Sequence, residues 1–108
     1  MSVVMNFAMF PTRKSVSVSP FVSKVVDSVR SKGFDNQLTA MGTIVETNTL
    51  AEALSVISDA YSTIEDECER VYVTINIDIR KGQAGRIYSK VKSVEEKISK
   101  DKGNNPNS

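Results

Sequence analysis

Residues 70–80, "RVYVTINIDIR", alternate strictly, with Val71, Val73, Ile75, Ile77 and Ile79 on one parity and Tyr72, Thr74, Asn76 and Asp78 on the other. A period of two marks a strand with one core face, and at about 3.3 Å per residue the alternating run spans roughly 30 Å. That exceeds the usual strand length, so one end is expected to project beyond the domain. The first strand reads differently. Val3, Met5, Phe7 and Met9 lie on one parity and Val4, Ala8 and Phe10 on the other, so both faces are expected to be covered as far as Pro11, which cannot donate to a ladder.

Helical spacing follows. Val22, Val25, Val26 and Val29 come after Ser19-Pro20, which predicts a helix capped by Ser19, with proline in its first turn and an end near Gly33. Residues 34–46 read as two short strands reversing at Ala40-Met41-Gly42. Leu50, Leu54, Ile57, Tyr61 and Ile64 predict the buried stripe of a second helix, capped by Asn48 or Thr49. Beyond Gly82 and Gly85, Ile87, Val91, Val94 and Ile98 predict a last amphipathic helix, and residues 101–108, "DKGNNPNS", lack the apolar content to order themselves.

The order of elements predicts an α+β protein, a ferredoxin-like βαββαβ antiparallel sandwich with an added C-terminal helix, in a single domain over residues 1–100 with a disordered tail over 101–108. Such a sheet leaves its second face uncovered. Another copy of the same sheet is the expected cover, since symmetric self-association is the common way to bury a shared patch.

Composition narrows the chemistry. Fourteen Lys and Arg against 13 Asp and Glu give a net charge of +1, so no global field draws nucleic acid or an acidic membrane surface. The apolar start "MSVVMNFAMF" is too short to span a bilayer and lacks the flanks of a signal peptide, so it is expected to be the first strand. Cys68 has no second cysteine to pair with, which fits a reducing cytoplasm and excludes a thiolate-rich metal site. With no histidine, the usual base, metal ligand and thiol activator are missing, and no catalytic or metal-binding residue is expected. The acidic run "EDECE" around Cys68 reads as a solvated helix end. Gly82 and Gly85 read as turn residues, because no Gly-Lys-Ser/Thr follows them. Arg70 and Arg80 flank the last strand and are candidates for an anion.

Four stretches, taken in order, resemble the small thiamine-binding-protein family. "SVSVSPFVSKVV" after Pro11 is similar to that family's Ser-x-Ser and helix start, "LTAMGTIVE" to its Leu-Thr-Pro-Met-Gly-Thr-x-Ile-Glu signature, "RVYVTINIDIR" to its basic-flanked strand, and "KVKSVEEKI" to its closing helix. The match covers residues 1–99. Ala40, Thr47 and Asn76 stand where the family has proline, glycine and lysine, and the loop after Pro11 lacks the usual glycine. The resemblance implies ferredoxin-like subunits that dimerise sheet against sheet and commonly pair into homotetramers, and that bind thiamine or its hydroxymethylpyrimidine part without catalysis or a cofactor. Carried over by motif position, the ligand-binding candidates are Ser15, Ser17, Met41, Gly42, Thr43 and Glu46, with Asn6 and Asp78 as weaker additions. A carboxylate and hydroxyls suit the amine and ring nitrogens of an aminopyrimidine, methionine suits its face, and glycine admits close backbone approach. The alternative is an oligomeric interaction or regulatory module with no vitamin ligand. An enzyme ranks third.

Overall fold

The first strand is paired on both sides, between the third and the fourth. The computed structural model describes residues 1–12, 18–82, 87 and 94–98. Its elements are β1 (Ser2–Pro11), α1 (Ser19–Ser31), β2 (Asp35–Thr39), β3 (Gly42–Thr47), α2 (Leu50–Ser62), a 3-10 turn (Glu65–Glu67) and β4 (Val71–Arg80). The sheet order is β2-β3-β1-β4 and each pairing is antiparallel, which is the ferredoxin-like arrangement expected from the order of elements. Ile87 and residues 94–98 are helical, whereas the rest of the expected last helix and the 101–108 tail lie outside the described residues.

The register assigns every strand residue to a face. Val3, Met5 and Phe7 of β1 stand opposite Thr47, Val45 and Thr43 of β3 on one side and Ile79, Ile77 and Ile75 of β4 on the other. This face meets the helices, and Val3, Met5, Phe7, Met9 and Val45 join Phe21, Val25 and Val29 of α1 and Ala53, Val56 and Ala60 of α2 in one buried cluster. The opposite face is only half-covered. Val4 and Ala8 are half-buried, and Phe10 stacks obliquely on Tyr72, its ring centroid 5.8 Å away, with both rings exposed.

Three sequence expectations are corrected. The cap of α1 is Val18, not Ser19: the Val18 carbonyl accepts from the N–H groups of Phe21 and Val22, so Ser19 is already inside the first turn while Pro20 keeps its expected place there. On α2 the buried stripe is Ala53, Val56 and Ala60, continued by Ile64, and Leu50, Leu54 and Tyr61 are exposed. Small residues win the inner face because they let α2 lie close to β1, where a leucine would hold the helix away. On β4 the core-facing parity is also less buried than expected: Val73 and Ile77 are half-buried, but Ile75 and Ile79 are exposed, because this strand lies at the edge of the described sheet.

Other signals hold. Gly33 follows α1 at φ +78, a left-handed conformation that glycine takes without penalty. Thr49 caps α2, its hydroxyl accepting from the Glu52 N–H at 3.1 Å and donating to the Glu52 carboxylate at 3.1 Å. This side-chain cap satisfies an otherwise orphaned backbone donor of the first turn. Lys24 on α1 pairs with Glu67 at 2.7 Å and Lys32 pairs with Asp59, tying both ends of α1 to the α2 region. Thr49→Ala is expected to cost about 1 kcal/mol in urea unfolding, with Thr49→Ser retaining most of the stability.

Candidate functional site

The "LTAMGT" segment folds as a two-residue hairpin. Ala40 and Met41 form its tip between the paired Thr39 and Gly42, and the Thr39 hydroxyl ties it off by donating to the Gly42 carbonyl at 2.9 Å and accepting from the Met41 N–H at 3.2 Å. Ala40 forgoes the φ restriction that the family's proline would supply, and the Thr39 hydroxyl closes the turn instead. Gly42 allows β3 to approach β1: a Cβ there would stand 2.8 Å from the Asn6 Oδ1 and 2.8 Å from the Phe7 carbonyl oxygen.

Beneath the hairpin lies a cavity of about 240 Å³, bounded by the end of β1 from Phe7 to Phe10, by Val22, Val25 and Val26 of α1, and by Leu38 to Thr43. Among the described residues its walls carry no ionisable side chain, and the polar side chains facing it are Thr39 and Thr43. Thr43 is buried and Met41, 84% exposed, stands at the rim. Such a space suits a small, flat, uncharged ring, gripped by hydroxyls and backbone groups at its edge. The walls come from strands and a helix, so the shape is set by the core.

The remaining candidates do not join it. Glu46 lies three residues beyond Thr43 and therefore on the other face of the sheet. There it is 7% exposed, accepts from the fully buried Ser2 hydroxyl at 2.7 Å and accepts from the Ile87 N–H at 3.3 Å. It is not a solvated strand end, and through Ile87 the chain after β4 reaches back over this end of the supposedly bare face. Asp78 faces the same way, since Val4 pairs with Glu46 on one side and Asp78 on the other. Asn6 occupies the next row, between Ile44 and Asn76, with its Oδ1 buried and lacking a hydrogen-bond partner. Ser15 and Ser17 fall within residues 13–17, outside the described residues.

Sequence reasoning missed Thr39, Val22 and Val26. Thr39 was legible as the residue before the tip, but the valines carry no signal beyond helical spacing. Arg70 and Arg80 border opposite ends of a strand about 33 Å long, too far apart to share one anion. Thr47, in place of the family's glycine, donates its hydroxyl to the Thr49 carbonyl at 2.8 Å and so braces the entry to α2. No group of three or more metal-ligating side chains occurs among the described residues.

Comparison with known proteins gives a consistent result. The profile of a family described as "Thiamine-binding protein" matches residues 5–95. A UPF0045 protein of Mycobacterium bovis is 33% identical over 95 residues, covering 88% of this chain and 93% of its own. The crystal structure of a Methanocaldococcus jannaschii protein is similar at TM-score 0.78 and 32% identity, over 88% of this chain and 97% of that one. A Thermotoga maritima protein provisionally assigned to thiamine biosynthesis or salvage shares the fold at TM-score 0.69 and 18% identity, over 93% of this chain and 98% of that one.

Three substitutions test the geometry. Gly42→Ala is expected to cost about 1–3 kcal/mol in urea unfolding, because β3 must move off β1, while Met41→Ala at the rim stays within about 0.5 kcal/mol. Glu46→Gln is expected to cost about 1–3 kcal/mol without any ligand present, because a buried charge-assisted pair is replaced by an amide that cannot accept at both oxygens.

Proposed function

The chain belongs to the thiamine-binding protein family, and from that premise we propose that it binds thiamine or its hydroxymethylpyrimidine half without transforming it. The observation that supports this most is the cavity under the hairpin, walled by the family's own Met-Gly-Thr segment in Met41, Gly42 and Thr43. The aminopyrimidine enters between Val22 and Leu38, its edge meets the Thr43 hydroxyl and the backbone at Gly42, and the Met41 thioether closes over its face. Glu46 acts on this reading as an anchor for the sheet and the segment at Ile87. Holding the ring unchanged suits a chain that has no histidine, the usual acid-base side chain near neutral pH.

The relative assigned to thiamine metabolism in Thermotoga maritima points the same way. The protein works as a homo-oligomer in the cytoplasm: the Phe10 and Tyr72 rings and the half-buried Val4 and Ala8 give the sheet an apolar patch to pair, and the free, buried Cys68 suits a reducing compartment. Among the described residues no helix is long and apolar enough to cross a membrane. The reading as an interaction module rests on the outward Leu50, Leu54 and Tyr61 of α2.

At a hundred times Kd a ligand adds about 2.7 kcal/mol, which in a domain of this size raises Tm by roughly ten degrees or more. Thiamine or hydroxymethylpyrimidine is expected to produce that shift, and Val22→Phe, which fills the cavity, to weaken binding at least about tenfold by calorimetry. A flat melting series with both compounds, or full affinity in Val22→Phe, would overturn the assignment and favour the interaction module.

A further inference from the structure

The cavity under the hairpin is one of two adjoining compartments. A wider groove of about 590 Å³ runs between α1 and β2, and Val22, Val26 and Leu38 line both spaces, so the groove begins where the cavity opens. Its character is different. Beyond the shared apolar wall the groove is bordered by Lys24, Asp27 and Arg30. Lys24 is engaged with Glu67 at 2.7 Å, which leaves Asp27 and Arg30 as the other charged side chains bordering the groove among the described residues.

The order of these charges carries the argument. At 1.5 Å of rise per residue, Asp27 follows directly on Val26, the last α1 residue of the cavity wall, and Arg30 lies roughly 6 Å along the helix axis from Val26. Passing outward from the cavity, α1 therefore offers an uncharged apolar wall, then an anion, then a cation. A phosphorylated thiamine presents the complement in the same order, as a neutral aminopyrimidine, a cationic thiazolium and an anionic phosphate ester. Hydroxymethylpyrimidine would occupy the cavity alone, and unphosphorylated thiamine would leave Arg30 without an opposite charge. An arginine at this place can hold phosphate oxygens through two parallel N–H groups, a match that lysine makes less well.

Building on the pyrimidine site proposed above, we infer that the α1–β2 groove is the second half of the ligand site and selects a phosphate ester of thiamine, with Asp27 facing the thiazolium and Arg30 the phosphate. Both side chains stand at a solvent-exposed rim, so their effect is modest and falls as salt is raised. They set a preference among ligands that the cavity already admits.

Calorimetry at low ionic strength with hydroxymethylpyrimidine, thiamine and thiamine monophosphate tests this on the full chain. The monophosphate is expected to bind at least about fivefold more tightly than thiamine. Arg30→Gln brings that ratio close to one, Arg30→Lys keeps part of it, and Asp27→Asn weakens thiamine relative to hydroxymethylpyrimidine. Equal affinity for thiamine and its monophosphate in the parent protein, or a ratio that survives Arg30→Gln, overturns the inference and leaves the pyrimidine reading standing. Failure of all three compounds to bind overturns both.

Discussion

The pairing of β1 with β3 is the constraint on which the rest of this structure depends. β1 is hydrogen-bonded on both sides, and its inward residues Val3, Met5 and Phe7 are essentially without solvent contact. β3 hangs β2 on the sheet, and among the described residues β4 has no strand neighbour other than β1. A slip of one residue would turn Val45 outward and bring Glu46 into the core against Met5. Gly42 helps to fix that register, because it is the point where β3 comes too close to Asn6 and Phe7 for any side chain. The hydrophobic gain from the inner parity and the steric demand at Gly42 act on the same alignment.

That register also divides the family's signature between two tasks. Within "LTAMGTIVE", Met41, Gly42 and Thr43 belong to the hairpin and its cavity, whereas Glu46 belongs to the opposite face. A carboxylate as buried as this one needs strong partners, because desolvation of a charge costs more than most single interactions return. The Ser2 hydroxyl and the Ile87 N–H are such partners, and they come from the two ends of the folded chain. The acid thereby joins the start of β1 to the segment that follows β4. A motif read as one binding cluster is, in three dimensions, a cavity wall followed by a structural clasp.

Much of the fold was legible because its signals are local. Strict alternation identified β4, the β-branched and aromatic run before Pro11 identified β1, and the reversal expected at Ala40-Met41-Gly42 falls at Ala40 and Met41. The phase of α2 was not legible. Leu50, Leu54 and Tyr61 form as regular a stripe as Ala53, Val56 and Ala60, and hydrophobicity favours the larger set. The choice is made by the distance at which the helix must lie from β1, a tertiary quantity that no window of sequence contains. The side chosen by Glu46 could have been found, since an interval of three along a strand always changes face. Its burial could not, because Ile87 lies 41 residues away in the chain.

Helix α1 connects the core to the proposed ligand chemistry. Successive residues turn by about 100°, so Val25 and Val29 point into the core, Val22 and Val26 flank the cavity, and Asp27 and Arg30 border the groove. The inward valines fix the rotation of the helix, and the salt bridges from Lys24 and Lys32 resist its sliding. Both degrees of freedom that would change the spacing between apolar wall, anion and cation are therefore held by contacts the fold needs anyway. On the proposed reading, selectivity among ligand forms depends on the core packing as well as on the two charged side chains, because a repacked α1 would turn Asp27 and Arg30 away together.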